Sequence, residues 1–138
     1  MLQIELMRWE QARAAASRIR YAVFVEEQGV PVEIELDEHD AQCIHALAFD
    51  RSVAVGTGRL LPDGHIGRMA VLREFRGRGV GSAILAKLIE AAARRGDREV
   101  LLSAQVHALA FYRAHGFSAE GEVYQDAGIP HQTMRRTL

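Results

Sequence analysis

The sequence predicts a mixed α/β (α+β) fold, and three observations carry that expectation. Some segments alternate apolar and polar residues with period two, while others repeat apolar residues at helical spacing. Strand-like segments precede, separate and follow the helical ones, with one helix crossing over between the fourth and fifth strands. The 138 residues are 49% hydrophobic and 25% charged, a globular composition long enough to bury one core without disulfide or metal support. A single domain over residues 1–138 is the expected organisation.

The elements follow in order. Leu2, Ile4 and Leu6 alternate with polar neighbours and read as a first strand. From Trp9 to about Gln28, Ala12, Ala15, Ala16, Ile19 and Val23 recur at helical spacing, and Gly29 and Pro31 stop the helix. Cys43 to Phe49 and Val53 to Leu61 are apolar runs joined at Asp50-Arg51-Ser52, a predicted hairpin. After the turn Pro62-Asp63-Gly64, His65 to Leu72 reads as a fourth strand. A loop from Arg73 to Arg78 leads into a helix from about Gly79 to Arg95, with Val80, Ile84, Leu88 and Ala91 on one face and Gly96 as its cap. Glu99 to Ala104 is a fifth strand, Val106 to His115 a short helix, and Phe117 onward supplies terminal strands.

Composition excludes several classes of function. A net charge of −1 is a poor electrostatic match for nucleic acid. No apolar run approaches the ~20 residues that span a bilayer, and the N-terminus lacks the basic start and apolar stretch of a signal peptide. The single cysteine, Cys43, rules out an intramolecular disulfide and suits a reducing compartment, so a cytoplasmic location is expected. Six histidines show no paired metal-ligand spacing, and no metal is expected. Charge is nonetheless segregated. Residues 26–40 hold seven acids (Glu26, Glu27, Glu33, Glu35, Asp37, Glu38, Asp40) and no Lys or Arg, which leaves 17 bases against 11 acids elsewhere. Such a run points to a cationic acceptor if it faces a site, and to solvated surface if it does not.

The segment richest in chemistry is Arg68 to Ser82, in which Arg76-Gly77-Arg78-Gly79-Val80-Gly81-Ser82 joins a strand to a helix start. Three glycines in five residues clear side chains from the turn, so several N–H groups can point at one anion. The helix start adds free donors and a partial positive charge. Arg73, Arg76 and Arg78 supply further charge. A phosphate or pyrophosphate is the natural guest. Gly81-Ser82-Ala83 departs from a Walker loop, and the even spacing of the glycines departs from a dinucleotide fingerprint.

Arg76-x-x-Gly79-x-Gly81 resembles the pyrophosphate signature of the GNAT superfamily of acyl-CoA-dependent N-acetyltransferases. The stretch from Gln105 through Ala108, Phe111 and Tyr112 to Gly116-Phe117 is similar to that superfamily's second motif, with Gln105 where Asn is usual. Arg20-x-x-Val23-Phe24, Glu27-Gln28-Gly29, the Glu35 to Asp40 stretch and Gly128-Ile-Pro130-His131 resemble its small ElaA/YjcF-like branch. The resemblance implies a mostly antiparallel twisted sheet flanked by helices, with the fourth and fifth strands splayed. It also implies acetyl-CoA as cosubstrate. Its pantetheine would lie along Met69, Ala70 and Val71, its pyrophosphate on the N–H groups of residues 76 to 82, and Gln105 would contact it.

The implied chemistry is acetyl transfer from acetyl-CoA to a primary amine, on a small molecule or a peptide. An alkyl ammonium with a pKa near ~10.4 must lose a proton, to a base or a water relay, before it can attack a thioester. A backbone N–H near Val71 would stabilise the oxyanion. The family role of Tyr112 is to donate to the departing thiolate. Spacing does not choose the base among Glu26, Glu27, Asp37, Glu38, Asp40, His65 and His131, and Glu27 ranks first because the family builds its acceptor site near the end of the first helix. Two alternatives stand beside this reading. Arg20-x-x-Val23-Phe24 with its acidic stretch is also similar to acyl-homoserine-lactone synthases, and the same fold can serve as a non-catalytic acyl-CoA-binding module. The oligomeric state is left open, a homodimer included.

Overall fold

A computed structural model describes residues 1–138. Strand β1 (Leu2–Met7) pairs antiparallel with β2 (Ile44–Asp50), β2 with β3 (Val53–Leu60), and β3 with β4 (Ile66–Val71). A second sheet has the order β5 (Glu99–Gln105), β7 (Ile129–Thr137), β6 (Ser118–Asp126), again antiparallel. The predicted splay between the fourth and fifth strands is present. β4 and β5 meet only at one parallel bridge, His65 to Leu101, and diverge beyond it.

Helix α1 (Trp9–Arg20) covers one face of the first sheet, where Ala12, Ala16, Ile19 and Val23 pack on Leu47, Ala54 and Ala70. Helix α3 (Val80–Arg95) covers the other face and bridges the two sheets. Its Val80, Ile84, Leu85, Leu88 and Ile89 bury against Val55 and Leu60 of β3, Val100 and Leu102 of β5, and Met134 of β7. The approach of α3 to β3 is close because β3 has glycine at two inward positions. A Cβ on Gly58 would stand 2.6 Å from Met69 Sδ and 3.0 Å from both Ile84 Cγ2 and Leu88 Cδ1.

Three local departures from the expected elements matter for the site. The first helix does run to Glu27, but Tyr21–Glu27 is π-helical, with the Gln28 N–H donating to Val23 O at 3.1 Å. The wider turn shifts which side chains face inward, a geometry often found beside functional sites. The acidic segment contains a helical turn, α2 (Val32–Glu35), and a 3₁₀ turn over Glu38–Gln42 that starts with the Asp37 carboxylate accepting from the His39 N–H at 3.0 Å. In β4 the register advances by three residues, Ala70 to Gly67, against two on β3. That is a bulge, and it holds Arg68 at φ 49°, a left-handed conformation uncommon for a non-glycine residue.

Candidate active site

A cleft of about 1030 Å³ opens where β4 and β5 part. It is lined by Met69, Ala70 and Val71 on β4, by the loop and helix start from Arg76 to Ser82, and by Gln105 and Tyr112 on the far wall. The sequence-predicted site residues therefore converge on one cavity. Arg78 is the exception, stacked instead over the Phe75 ring at 5.4 Å.

The turn into α3 leaves a run of backbone donors free. Gly77 and Gly79 sit at φ 77° and 79°, and nothing lies within 4 Å of a Cβ placed on either. From Gly77 through Ser82 no backbone N–H has an acceptor in the protein; the first helical bond is from the Ala83 N–H to Gly79 O, at 3.0 Å. Ser82 contributes its hydroxyl to the opposite wall, bonded to His115 Nε2 at 3.0 Å. His115 lies just beyond α4 (Leu109–Ala114), the short helix that carries Tyr112.

Arg76 is engaged otherwise than its motif suggests. Its Nε donates to Val71 O at 2.9 Å, and its two terminal nitrogens donate to Glu27 at 2.6 and 2.7 Å. Arg73 approaches the same carboxylate at 3.4 Å. The Arg76 hydrogen bond lowers the Glu27 carboxyl to about 2. A group so reluctant to take a proton is a poor base toward an ammonium, and the ion pair instead ties the first helix to the glycine-rich loop. Glu27→Gln is therefore expected to change kcat by less than about tenfold, where loss of a general base costs ~10²–10⁴. Steady-state kinetics on the variant check this.

The acidic segment is also turned inward. Arg20, 1% exposed, bonds Glu35 through Nε and Asp40 through both terminal nitrogens, at 2.8 and 3.1 Å. Arg59 donates to Asp37 at 2.8 Å twice and to Asp40 at 2.9 Å, leaving its Nε without a partner. Arg68, brought round by the β4 bulge, donates to Glu35 O and to Asp37, both at 3.1 Å. Burial alone would raise Asp37 and Asp40, but the hydrogen bonds from Arg59 and Arg20 outweigh it and hold both below the usual carboxylate range. Three of the seven acids expected at a cation-recruiting face are thus neutralised inside the protein. Trp9 belongs to the same cluster, lying 5.4 Å from the Arg20 guanidinium and 4.8 Å from the His45 ring. Nothing in the sequence links these partners except lone arginines within otherwise apolar strands, Arg59 most plainly.

On the far wall, Tyr112 packs edge-on against Phe111 and Phe117, with centroids 5.0 and 6.0 Å away. Burial pushes its phenol up to about 12, so it is protonated at neutral pH. The Gln105 amide is already taken: Nε2 donates to Gln28 at 2.9 Å, and Oε1 accepts from His107 at 2.6 Å. Gln105 thereby joins β5 to the end of the first helix. Cys43 is no nucleophile, because burial pushes its thiol up to about 11 and Sγ donates to His39 O.

A two-sheet α/β fold split over a helix start with free N–H groups defines an acyl-CoA transferase architecture. Residues 12–138 match the family model for the acetyltransferase (GNAT) domain, and the chain belongs to that family. It is 39% identical over 131 residues to the uncharacterised N-acetyltransferase YjcF of Bacillus subtilis, covering 92% of this chain and 94% of YjcF. It is 35% identical over 132 residues to the protein ElaA of Escherichia coli, covering 90% and 86%. The crystal structure of ElaA superposes with a TM-score of 0.88 at 31% identity over 99% of both chains. An acyl-CoA N-acyltransferase from Pseudomonas aeruginosa gives 0.87 at 32%, also over 99% of both. The acyl-homoserine lactone synthase BjaI, at 18% identity and a TM-score of 0.82, shares the fold.

Proposed function

We propose that this protein transfers the acetyl group of acetyl-CoA to a primary amine by direct attack on the thioester. The observation that carries the reading is the run of six unpartnered N–H groups from Gly77 to Ser82, at a helix start that opens into the cleft containing Tyr112. These donors suit a pyrophosphate. The edge of β4 at Met69, Ala70 and Val71 has no neighbouring strand on the cleft side, which suits the amide groups of pantetheine. A backbone N–H near Val71 would meet the developing oxyanion. Tyr112 would donate to the departing sulfur, and Glu27 would hold Arg76 rather than take a proton.

Two measurements test this. Calorimetry should detect CoA binding to the wild type, weakened at least tenfold in Gly79→Glu, whose side chain meets both the anion site and a left-handed backbone. Thiol release from acetyl-CoA should depend on one member of an amine and peptide panel. Unaltered CoA affinity in Gly79→Glu would sink the loop assignment. CoA binding with no thiol release across the panel would favour a non-catalytic acyl-CoA-binding module.

A further inference from the structure

Glu27, Asp37 and Asp40 are committed to arginines, and of the remaining base candidates only His65 and His131 line the cleft, with His65 already 3.0 Å from Asp63. His131 on β7 is 9% exposed and lines the cleft with Tyr112. Its Nδ1 lies 2.7 Å from Ile129 O. A carbonyl can only accept, so in the neutral ring Nδ1 carries the proton and Nε2 keeps its lone pair. No protein group bonds Nε2. The ring is also held from its face: Tyr124 stacks on it at 6.2 Å with planes 23° apart, and the Tyr124 hydroxyl is bonded to Ser103 of β5. In the sheet register His131 stands opposite Gln105, the residue from which the chain turns toward the helix of Tyr112. One ring nitrogen anchored to a backbone carbonyl, with the other free of protein partners on a residue that lines the cleft, suits an imidazole base.

We infer that His131 Nε2 is the general base for the acceptor amine. The inference rests on the amine-acylation reading above and names its missing base. The step balances as follows. His131 Nε2 takes one proton from the ammonium, and the freed nitrogen pair forms the N–C bond. Collapse of the tetrahedral intermediate breaks the C–S bond as Tyr112 donates to the sulfur. The amine nitrogen loses its second proton, which restores Tyr112 by way of solvent. His131 returns its proton to solvent, so the products are an amide, free CoA thiol and one released proton.

The test uses His131→Asn, whose amide nitrogen can keep the bond to Ile129 O while Nε2 is removed, with His131→Gln as a second variant should the first fold poorly. CoA affinity by calorimetry and the melting temperature should stay close to wild type. With an alkylamine acceptor, kcat should fall at least tenfold. With methoxyamine, which is already neutral at the assay pH, the variant should come within threefold of wild type. Equal losses on both amines, or an alkylamine kcat within threefold of wild type, would overturn the assignment while leaving acyl transfer intact. Failure of CoA to bind the wild type, or of any amine to be acylated, would remove the parent reading and this one with it.

Discussion

Tyr112→Phe is expected to lower kcat about a hundredfold and to leave the Kd for CoA within twofold of wild type. The substitution keeps the ring that packs on Phe111 and Phe117 and deletes only the hydroxyl, which no protein group bonds. General acid catalysis is typically worth ~10²–10⁴, and two features put this case at the low end. A thiol with a pKa near ~8.5 leaves fairly well unaided. A phenol pushed up to about 12 by burial gives up its proton reluctantly, which limits the gain from donating it. The effect should fall on kcat and kcat/KM together, as for an interaction made in the transition state. A hydroxyl that only anchored α4 would give the reverse, a lower Tm with near-normal kcat.

Arg20→Met should lower stability by about 3 kcal/mol, roughly 10 °C in Tm. Removing one partner of a buried ion pair strands the others, a loss of ~3–5 kcal/mol. Here the low end applies, because Asp40 keeps Arg59 and Glu35 keeps Arg68 nearby. Pairing the change with Glu35→Leu should recover part of the loss, since an apolar pair leaves less charge stranded. The wild type should also lose stability in two stages on acidification. Burial lowers the pKa of His45, so below ~6.5 the unfolded chain takes up a proton that the folded one refuses. Asp37 and Asp40 are held below their ordinary values, so their contribution is complete above ~3.9 and disappears as pH falls through the folded values. Urea titrations between pH 8 and 3 check both stages, and the second should be smaller in Arg20→Met. Pairs that contributed nothing would give wild type and Arg20→Met the same slope below pH 4.

The sequence disclosed α3 and its glycine-lined start because several independent signals coincide there: the spacing of Val80, Ile84 and Leu88, the glycines of the turn, and the cap at Gly96, whose φ is 95°. The β2–β3 hairpin was readable from the Asp50-Arg51-Ser52 break between two apolar runs, although Arg51 and Ser52 both take positive φ without being glycine. The π-helical end of the first helix left no such mark, since Ala12 to Val23 satisfies ordinary helical spacing. The charge cluster was hidden for another reason. Its acids form no period, because arginines 15 to 33 positions away complete their surroundings. That pairing also explains why the acidic run looked like a docking face: linear charge counts cannot register a buried counter-ion. Gln105 and Arg76 do line the cleft, but Gln28 and Glu27 claim their side chains.

The single bridge between His65 and Leu101 makes the molecule a book with a short spine. Each sheet is internally laddered, whereas the only shared backbone ladder is at the closed end of the V, and α3 supplies most of the remaining binding. Excursions of the native state should therefore begin at the open end, with β5, β7 and β6 swinging as one leaf against the other. A ligand lying between the leaves would act as an additional strand. Its arrival would slow amide exchange in β4 and β5 together, and would narrow the range of angles at which the two leaves stand.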